Sequence, residues 1–272
     1  MSRRGEAPSR HPKGCRFVIP RVVACSGKGG VGKTTIASLL VRYLMERLKG
    51  GPILAVDADP NSNLNELLGE SVTSTIGDAR ELMKDAVPTG MSKDSWLEMK
   101  VHQAVIEAKG FDLLVMGRPE GSGCYCAANS LVKKHIDLLK ENYAWVVADN
   151  EAGMEHMSRL VTQDVDHLFV VSDPTARGLR TARRILDLIG ELGLTIGKTE
   201  VVANRVQEGS EEGLLSMALK QGVELSGLIH EDQAVGAMDR EGGNIFMLDE
   251  SSVAVRDTYG ILDRALVRPS QG

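Results

Sequence analysis

"GKGGVGKTT", Gly27 to Thr35, is the stretch that decides how the rest of the chain is read. The apolar run "RVVACSG" (21–27) precedes it. After it, Ile36, Leu39, Leu40, Tyr43, Leu44 and Leu48 recur at the i, i+3, i+4, i+7 spacing of one helical face. A glycine-rich loop between a buried strand and a helix, spaced G-x-x-x-x-G-K-T with Gly27, Gly32, Lys33 and Thr34 in the fixed positions, is a P-loop. Glycines let the backbone curl until successive N–H groups face phosphate oxygens, and the helix N-terminus adds its dipole. Gly27, Lys28, Gly29, Gly30, Val31, Gly32, Lys33, Thr34 and Thr35 are therefore expected to hold the phosphates of a nucleotide, and the lack of an NKxD guanine signature favours ATP or ADP. Lys33 is expected to reach the β- and γ-phosphates and Thr34 to ligate Mg²⁺.

Outward from the loop, short apolar runs alternate with helical stretches. "PILAVDAD" (52–59), "FDLLVMG" (111–117), "AWVVAD" (144–149), "HLFVVSD" (167–173), "TEVVANRV" (199–206) and "LSGLIH" (225–230) have the continuous Val, Ile, Leu and Ala content of strands covered on both faces. Helices are expected over about 175–192 and 252–266, and residues 71–110 read as helical with a polar loop near "PTGMSKDS". The expected fold is α/β: a single doubly wound domain over 21–272, with a mostly parallel central sheet flanked by helices, preceded by a flexible extension over 1–20.

Composition narrows the function classes. The chain has 272 residues, net charge −5 and 4 cysteines. There is no global basic field for nucleic acid or an anionic membrane, and no apolar run long enough for a membrane span. "MSRRGEAPSRHPKGCRF" lacks the apolar segment of a signal peptide, so a reducing, cytoplasmic setting is expected.

Two strand ends carry acids where an open α/β sheet binds ligands: Asp57 and Asp59 in "VDADP", and Asp149 in "VVADNEAG", followed by Gly153. Asn204 and Arg205 close a later strand. Arg177, Arg180, Arg183 and Arg184 read as the solvated face of a helix, with docking to an acidic partner as the alternative.

"GSGCYCAANS" (121–130) is less ordinary. A disulfide between Cys124 and Cys126 is strained and opposed by a reducing compartment. Two independent buried thiols are a second reading, and a metal half-site a third. In a helix the two side chains would diverge by about 200°, so chelation needs extended or turn backbone, which the preceding glycines permit; the helix is expected to begin near Ala127. Two thiolates leave a tetrahedral or square-planar sulfur site half empty, and a second copy of the chain would fill it. Ligand softness admits Zn²⁺, Ni²⁺, Cu⁺ or an iron–sulfur cluster.

With a second lysine, Lys28, inside "KGGVGKT", the loop resembles the deviant Walker A of the dimeric ATPases that include MinD, ParA, nitrogenase iron protein and ArsA. The resemblance implies a homodimer in which Lys28 reaches the partner's nucleotide and, with Lys33 and Asp59, acts in catalysis. It implies that Asp59 orients the attacking water near the Mg²⁺ shell. Asp149 and Gly153 match the Walker B aspartate and a switch glycine, and Asn204 the adenine contact. The combination of "GCYC", "NS" and "DNEAGMEH" resembles the CooC-type accessory ATPases, which support nickel insertion into carbon monoxide dehydrogenase, and their AcsF-type relatives, which serve acetyl-CoA synthase. By that resemblance Cys124 and Cys126 bind Ni²⁺ or Zn²⁺ across the dimer, the partner is one of those apoenzymes, and neither nucleic acid nor membrane is bound. Asn150 and Glu151 depart from the pattern, which calls for smaller or less polar residues there. Two alternatives are an electron-transfer ATPase resembling nitrogenase iron protein, weakened by the lack of any cysteine after Cys126, and a MinD- or ParA-like positioning ATPase, weakened by the mixed charge of the C-terminal stretch.

Overall fold

In the computed structural model the described residues are 21–59, 63–83, 87–117, 126–150, 164–192 and 195–267. The strands are β1 (Arg21–Gly27), β2 (Ile53–Asp57), β3 (Val105–Glu107), β4 (Asp112–Val115), β5 (Trp145–Asp149), β6 (Asp164–Ser172), β7 (Thr195–Val206) and β8 (Leu225–His230). They form one sheet in the order β3-β4-β2-β5-β1-β6-β7-β8. All neighbours pair in parallel except β3, which runs antiparallel to β4 at the edge.

The helices are α1 (Lys33–Tyr43), α2 (Leu64–Leu67), α3 (Ile76–Leu82), α4 (Lys93–Ala104), α5 (Cys126–Lys140), α6 (Ala176–Leu192), α7 (Glu211–Lys220), α8 (Gln233–Arg240) and α9 (Val253–Leu266). The mostly parallel doubly wound sheet expected from the sequence is what forms. Two cores result from the period-2 alternation of buried strands. Val22, Leu54 and Val146 face the side covered by α3 to α7, and Val23, Ala55 and Val147 face α1, α2, α8 and α9.

Two differences from expectation have local causes. Residues 71–110 are not purely helical, because α4 runs directly into the three-residue strand β3. That strand is too short to show a periodicity of its own. The first helix does not stay regular to Leu48: α1 passes into a π-helical turn at Leu44–Leu48, closed by Lys49 at φ 46°. The strand order places the C-terminal ends of β2, β5, β1, β6 and β7 side by side, and the site lies there.

Candidate nucleotide and cation site

The loop between β1 and α1 is shaped by what surrounds it. Gly32 sits at φ 92°, in the left-handed region, and a Cβ there would run into the Asn204 amide. A Cβ on Gly27 would strike the Val171 carbonyl of β6. At Gly29 and Gly30 nothing lies within 4 Å of such a Cβ, so the middle of the loop faces open space. No side chain caps α1 and its first turn has no acid, which leaves its N–H groups to an anion. Lys33 is buried, and its Nζ donates to the Lys28 carbonyl at 3.5 Å, folding the ammonium over the loop where phosphates would go.

On the β5 and β2 side the loop meets buried acids. Asp57 and Asp149 are register partners in adjacent strands, 0% and 1% exposed. Burial pushes Asp149 up to about 7; the neighbouring Asp57 and Asp59 charges push the same way, and a hydrogen bond from Thr34 opposes them. Burial also raises Asp57, to about 6. The two acids have different tasks. Asp57 accepts from the backbone N–H of Asp59 at 3.1 Å and of Leu64 at 3.0 Å, so it organises the turn leaving β2. Asp149 keeps Oδ1 without a hydrogen-bond partner. A buried carboxylate oxygen left over beside a threonine hydroxyl fits a hard cation. Among the described residues no group of three His, Cys, Asp or Glu forms a complete metal site. Nucleotide phosphates would supply the missing oxygens.

On the β6 and β7 side the loop is held by its carbonyls. Asn204 Nδ2 donates to Val31 O at 2.8 Å, and Arg205 Nη1 donates to Gly30 O at 3.2 Å. Consecutive strand residues normally point to opposite faces. Both reach the loop here because the β7–β8 register shifts between Asn204 and Val206 and Arg205 takes φ 60°. Lys28 Nζ lies 4.0 Å from Asp173 Oδ2, just past β6, with the lysine side chain 44% exposed.

A model of the CobQ/CobB/MinD/ParA nucleotide-binding domain matches residues 22–245. The chain belongs to this family. Its similarity to an uncharacterized ATP-binding protein of Methanocaldococcus jannaschii is 42% identity over 90% of this chain and 98% of that one. To the carbon monoxide dehydrogenase accessory protein CooC of Rhodospirillum rubrum it is 34% identical, over 92% of this chain and 98% of that one. The fold matches the septum site-determining protein MinD of Pyrococcus horikoshii, solved with Mg-ADP, at a TM-score of 0.65 and 21% identity, covering 92% of this chain and 97% of that one.

Within the CobQ/CobB/MinD/ParA domain, the expected site residues fall into three groups. Gly27 to Thr35, Asp57, Asp59, Asp149, Asn204 and Arg205 converge around the loop. Cys124 and Gly153 lie outside the described residues, as does His156. Cys126 is the first residue of α5. Two residues were missed from sequence. Asp173 touches Lys28 only because β6 pairs with β1, a strand order that no local pattern announces. Asn150, which had looked out of place after the strand, sends both its backbone N–H (3.2 Å) and its Nδ2 (3.1 Å) to Cys25 O, tying the end of β5 to β1. Only a polar residue with a second donor makes that double bond. Among the described residues no helix is long and apolar enough to cross a membrane.

Proposed function

We propose that the protein is an ATP-hydrolysing homodimer that couples its nucleotide state to nickel carried at Cys124 and Cys126, for delivery to carbon monoxide dehydrogenase or acetyl-CoA synthase. One observation carries the ATPase part: the half-buried Thr34 and the buried Asp149, with its spare carboxylate oxygen, lie beside an uncapped helix N-terminus and the Lys33 ammonium. Mg²⁺, held by the Thr34 hydroxyl and approached by Asp149, would supply charge neutralisation at the phosphates. Lys33 exchanges the Lys28 carbonyl for the β- and γ-phosphate oxygens. Asp59 positions the attacking water at the end of β2, on a turn that Asp57 holds in place. Lys28 leaves Asp173 and crosses to the nucleotide of the second copy, where its charge stabilises the transition state in trans. Asn204, with one amide hydrogen already given to Val31 O, lies beside the loop where an adenine contact is possible.

The cargo part is supported by the C-x-C pair in the sequence, of which Cys126 opens α5, and by the full-length similarity to CooC. Two thiolates from each copy complete a four-sulfur site for nickel, which is here a substrate and not a resident cofactor. Closure of the dimer on ATP and reopening on hydrolysis then alter metal affinity through the shared axis. The test is anaerobic metal stoichiometry with and without ATP. One nickel per dimer is expected, lost in Cys124→Ser/Cys126→Ser with ATP binding retained. Unchanged metal content in that variant would overturn the cargo site. A brown protein whose absorbance near 400 nm bleaches on reduction would favour an iron–sulfur ATPase instead.

A further inference from the structure

Helix α6 carries its charge in the wrong direction for its own stability. A helix N-terminus is the positive end of the macrodipole and favours acids, and the C-terminus favours bases. Across α6 the order is reversed: Arg177, Arg180, Arg183 and Arg184 fill the first half, and Asp187 and Glu191 follow. The first turn holds no acid and the last turn no base. Four arginines against two carboxylates leave a surplus of two positive charges on this helix, in a chain whose net charge is −5. Thr175 Oγ1 accepts from the Gly178 N–H at 3.0 Å and Asp173 accepts from the Thr175 N–H at 3.1 Å, so the end of the helix is capped, but the arginine order itself adds nothing to local stability.

The arginines are not equivalent. Arg183 is engaged by Asp187 and by Gly222 O at 3.1 Å. Arg177, Arg180 and Arg184 are all exposed, and among the described residues no carboxylate pairs with them. Their i, i+3, i+7 spacing puts them on one outward face, opposite the buried Leu179, Ala182 and Ile185. The stripe is about 10 Å long at the helical rise of about 1.5 Å per residue. It begins four residues after Asp173, the acid beside Lys28, and runs away from it along α6.

We propose that Arg177, Arg180 and Arg184 form a docking face for a carboxylate-rich protein surface, which on the reading above is that of the client enzyme. Guanidinium groups match carboxylates bidentately, and a stripe of them fixes orientation as well as attraction. A two-fold contact centred on the stripe would set arginine against arginine, which disfavours a second copy of this chain as the occupant. Nucleic acid fits less well: three arginines are a small footprint, and the negative charge of the whole chain repels a long polyanion.

The test measures fluorescence anisotropy of a labelled 20-residue peptide rich in Glu and Asp, titrated with the full-length protein. The expected result is saturable binding that weakens at least tenfold as salt rises from about 20 to 200 mM, as screened charges require. Binding should also weaken at least tenfold in Arg177→Glu/Arg180→Glu/Arg184→Glu and in the milder triple Gln variant, with ATP binding unchanged. A wild-type protein that ignores the peptide would overturn the proposal, as would triple variants that bind like wild type. Tighter binding to a 20-base-pair DNA duplex, or to phosphatidylglycerol vesicles, would overturn it in favour of those partners. Nickel stoichiometry on the same samples separates this from the cargo reading. Peptide binding without nickel binding overturns the cargo site and leaves the docking face standing.

Discussion

The two flanks of the P-loop hold it by opposite means. On the β5 and β2 side the loop faces Asp149 and Asp57, carboxylates so deeply buried that their protonation midpoints rise to about 7 and about 6. On the β6 and β7 side, Asn204 and Arg205 grip loop carbonyls with ordinary hydrogen bonds. The first flank holds carboxylates whose charge is unfavourable until a proton or a cation neutralises it, and the second sets the shape into which phosphates fit. Chemistry and scaffold are thus divided between neighbouring strand ends, and substitutions on the two flanks should fail in different ways.

The largest effect is expected at Lys28, which on the proposed function crosses to the nucleotide of a second copy and so serves neither flank. Lys28→Ala should lower the hydrolysis rate by about 10³-fold or more, the scale of a finger supplied in trans, while ATP affinity changes little. Single-turnover hydrolysis beside equilibrium nucleotide binding would show the split. An equal loss in both would place Lys28 in simple binding.

Asp149→Asn separates the flanks most directly. In the cation-free protein the Asp149 midpoint lies above the unfolded value of 3.8, so its neutral form is favoured by folding. That contribution is complete below about pH 4 and is lost as pH rises through about 7. Wild-type stability without Mg²⁺ should therefore fall between about pH 5 and about pH 8 by up to roughly 3 kcal/mol more than that of Asp149→Asn. The variant should be the more stable protein at pH 8 and hydrolyse ATP at least about 10²-fold more slowly. Denaturant melts of both proteins at pH 5 and pH 8, with EDTA, check the sign; a wild type that gains stability toward pH 8 relative to the variant would break the account.

These two effects also mark what could be read before the structure. Lys33, Thr34 and the acids at the ends of β2 and β5 were legible as candidates because a phosphate site asks for those residue types in a P-loop and at neighbouring strand ends, and Lys28 through the resemblance to the deviant Walker A ATPases. The strands themselves were legible because burial on both faces writes continuous apolar runs. The division of labour between Asp57 and Asp149 was not, since it depends on which backbone N–H groups fold back onto each carboxylate. Nor was the short edge strand β3, which continues directly from α4, or the pairing of Lys28 with Asp173 across the β1–β6 junction. Local sequence reports periodicity and residue chemistry, whereas strand order and backbone irregularity arise only when distant segments pack.

Smaller effects are expected on the scaffold flank. Asn204→Ala removes a buried hydrogen bond and strands the Val31 carbonyl, a loss of about 1–2 kcal/mol in stability. Gly32→Ala should cost at least as much, because it adds a clash with the same amide to a left-handed backbone. In the double variant the clash is gone and the backbone strain remains, so its cost should fall below the sum of the two single losses. Denaturation midpoints of the three variants measure this; full additivity would mean that Asn204 does not shape the loop.

The smallest effect, at Arg205, tests how the scaffold flank came to have two contacts. A non-glycine residue at φ 60° carries a strain of about 1 kcal/mol, and Arg205 bears it at the point where β7 slips in register against β8. Arg205→Gly relieves the strain and loses the exposed bond to Gly30 O, two terms of similar size and opposite sign, so stability should move by less than about 1 kcal/mol. Arg205→Ala keeps the strain and loses the bond, and should be the less stable of the two by about 1 kcal/mol. If instead alanine and glycine prove equal in thermal melts, the left-handed turn costs nothing. The bulge would then be dictated by β8, and the arrival of two consecutive side chains at the P-loop would be a consequence of sheet packing and not a conformation held at a cost.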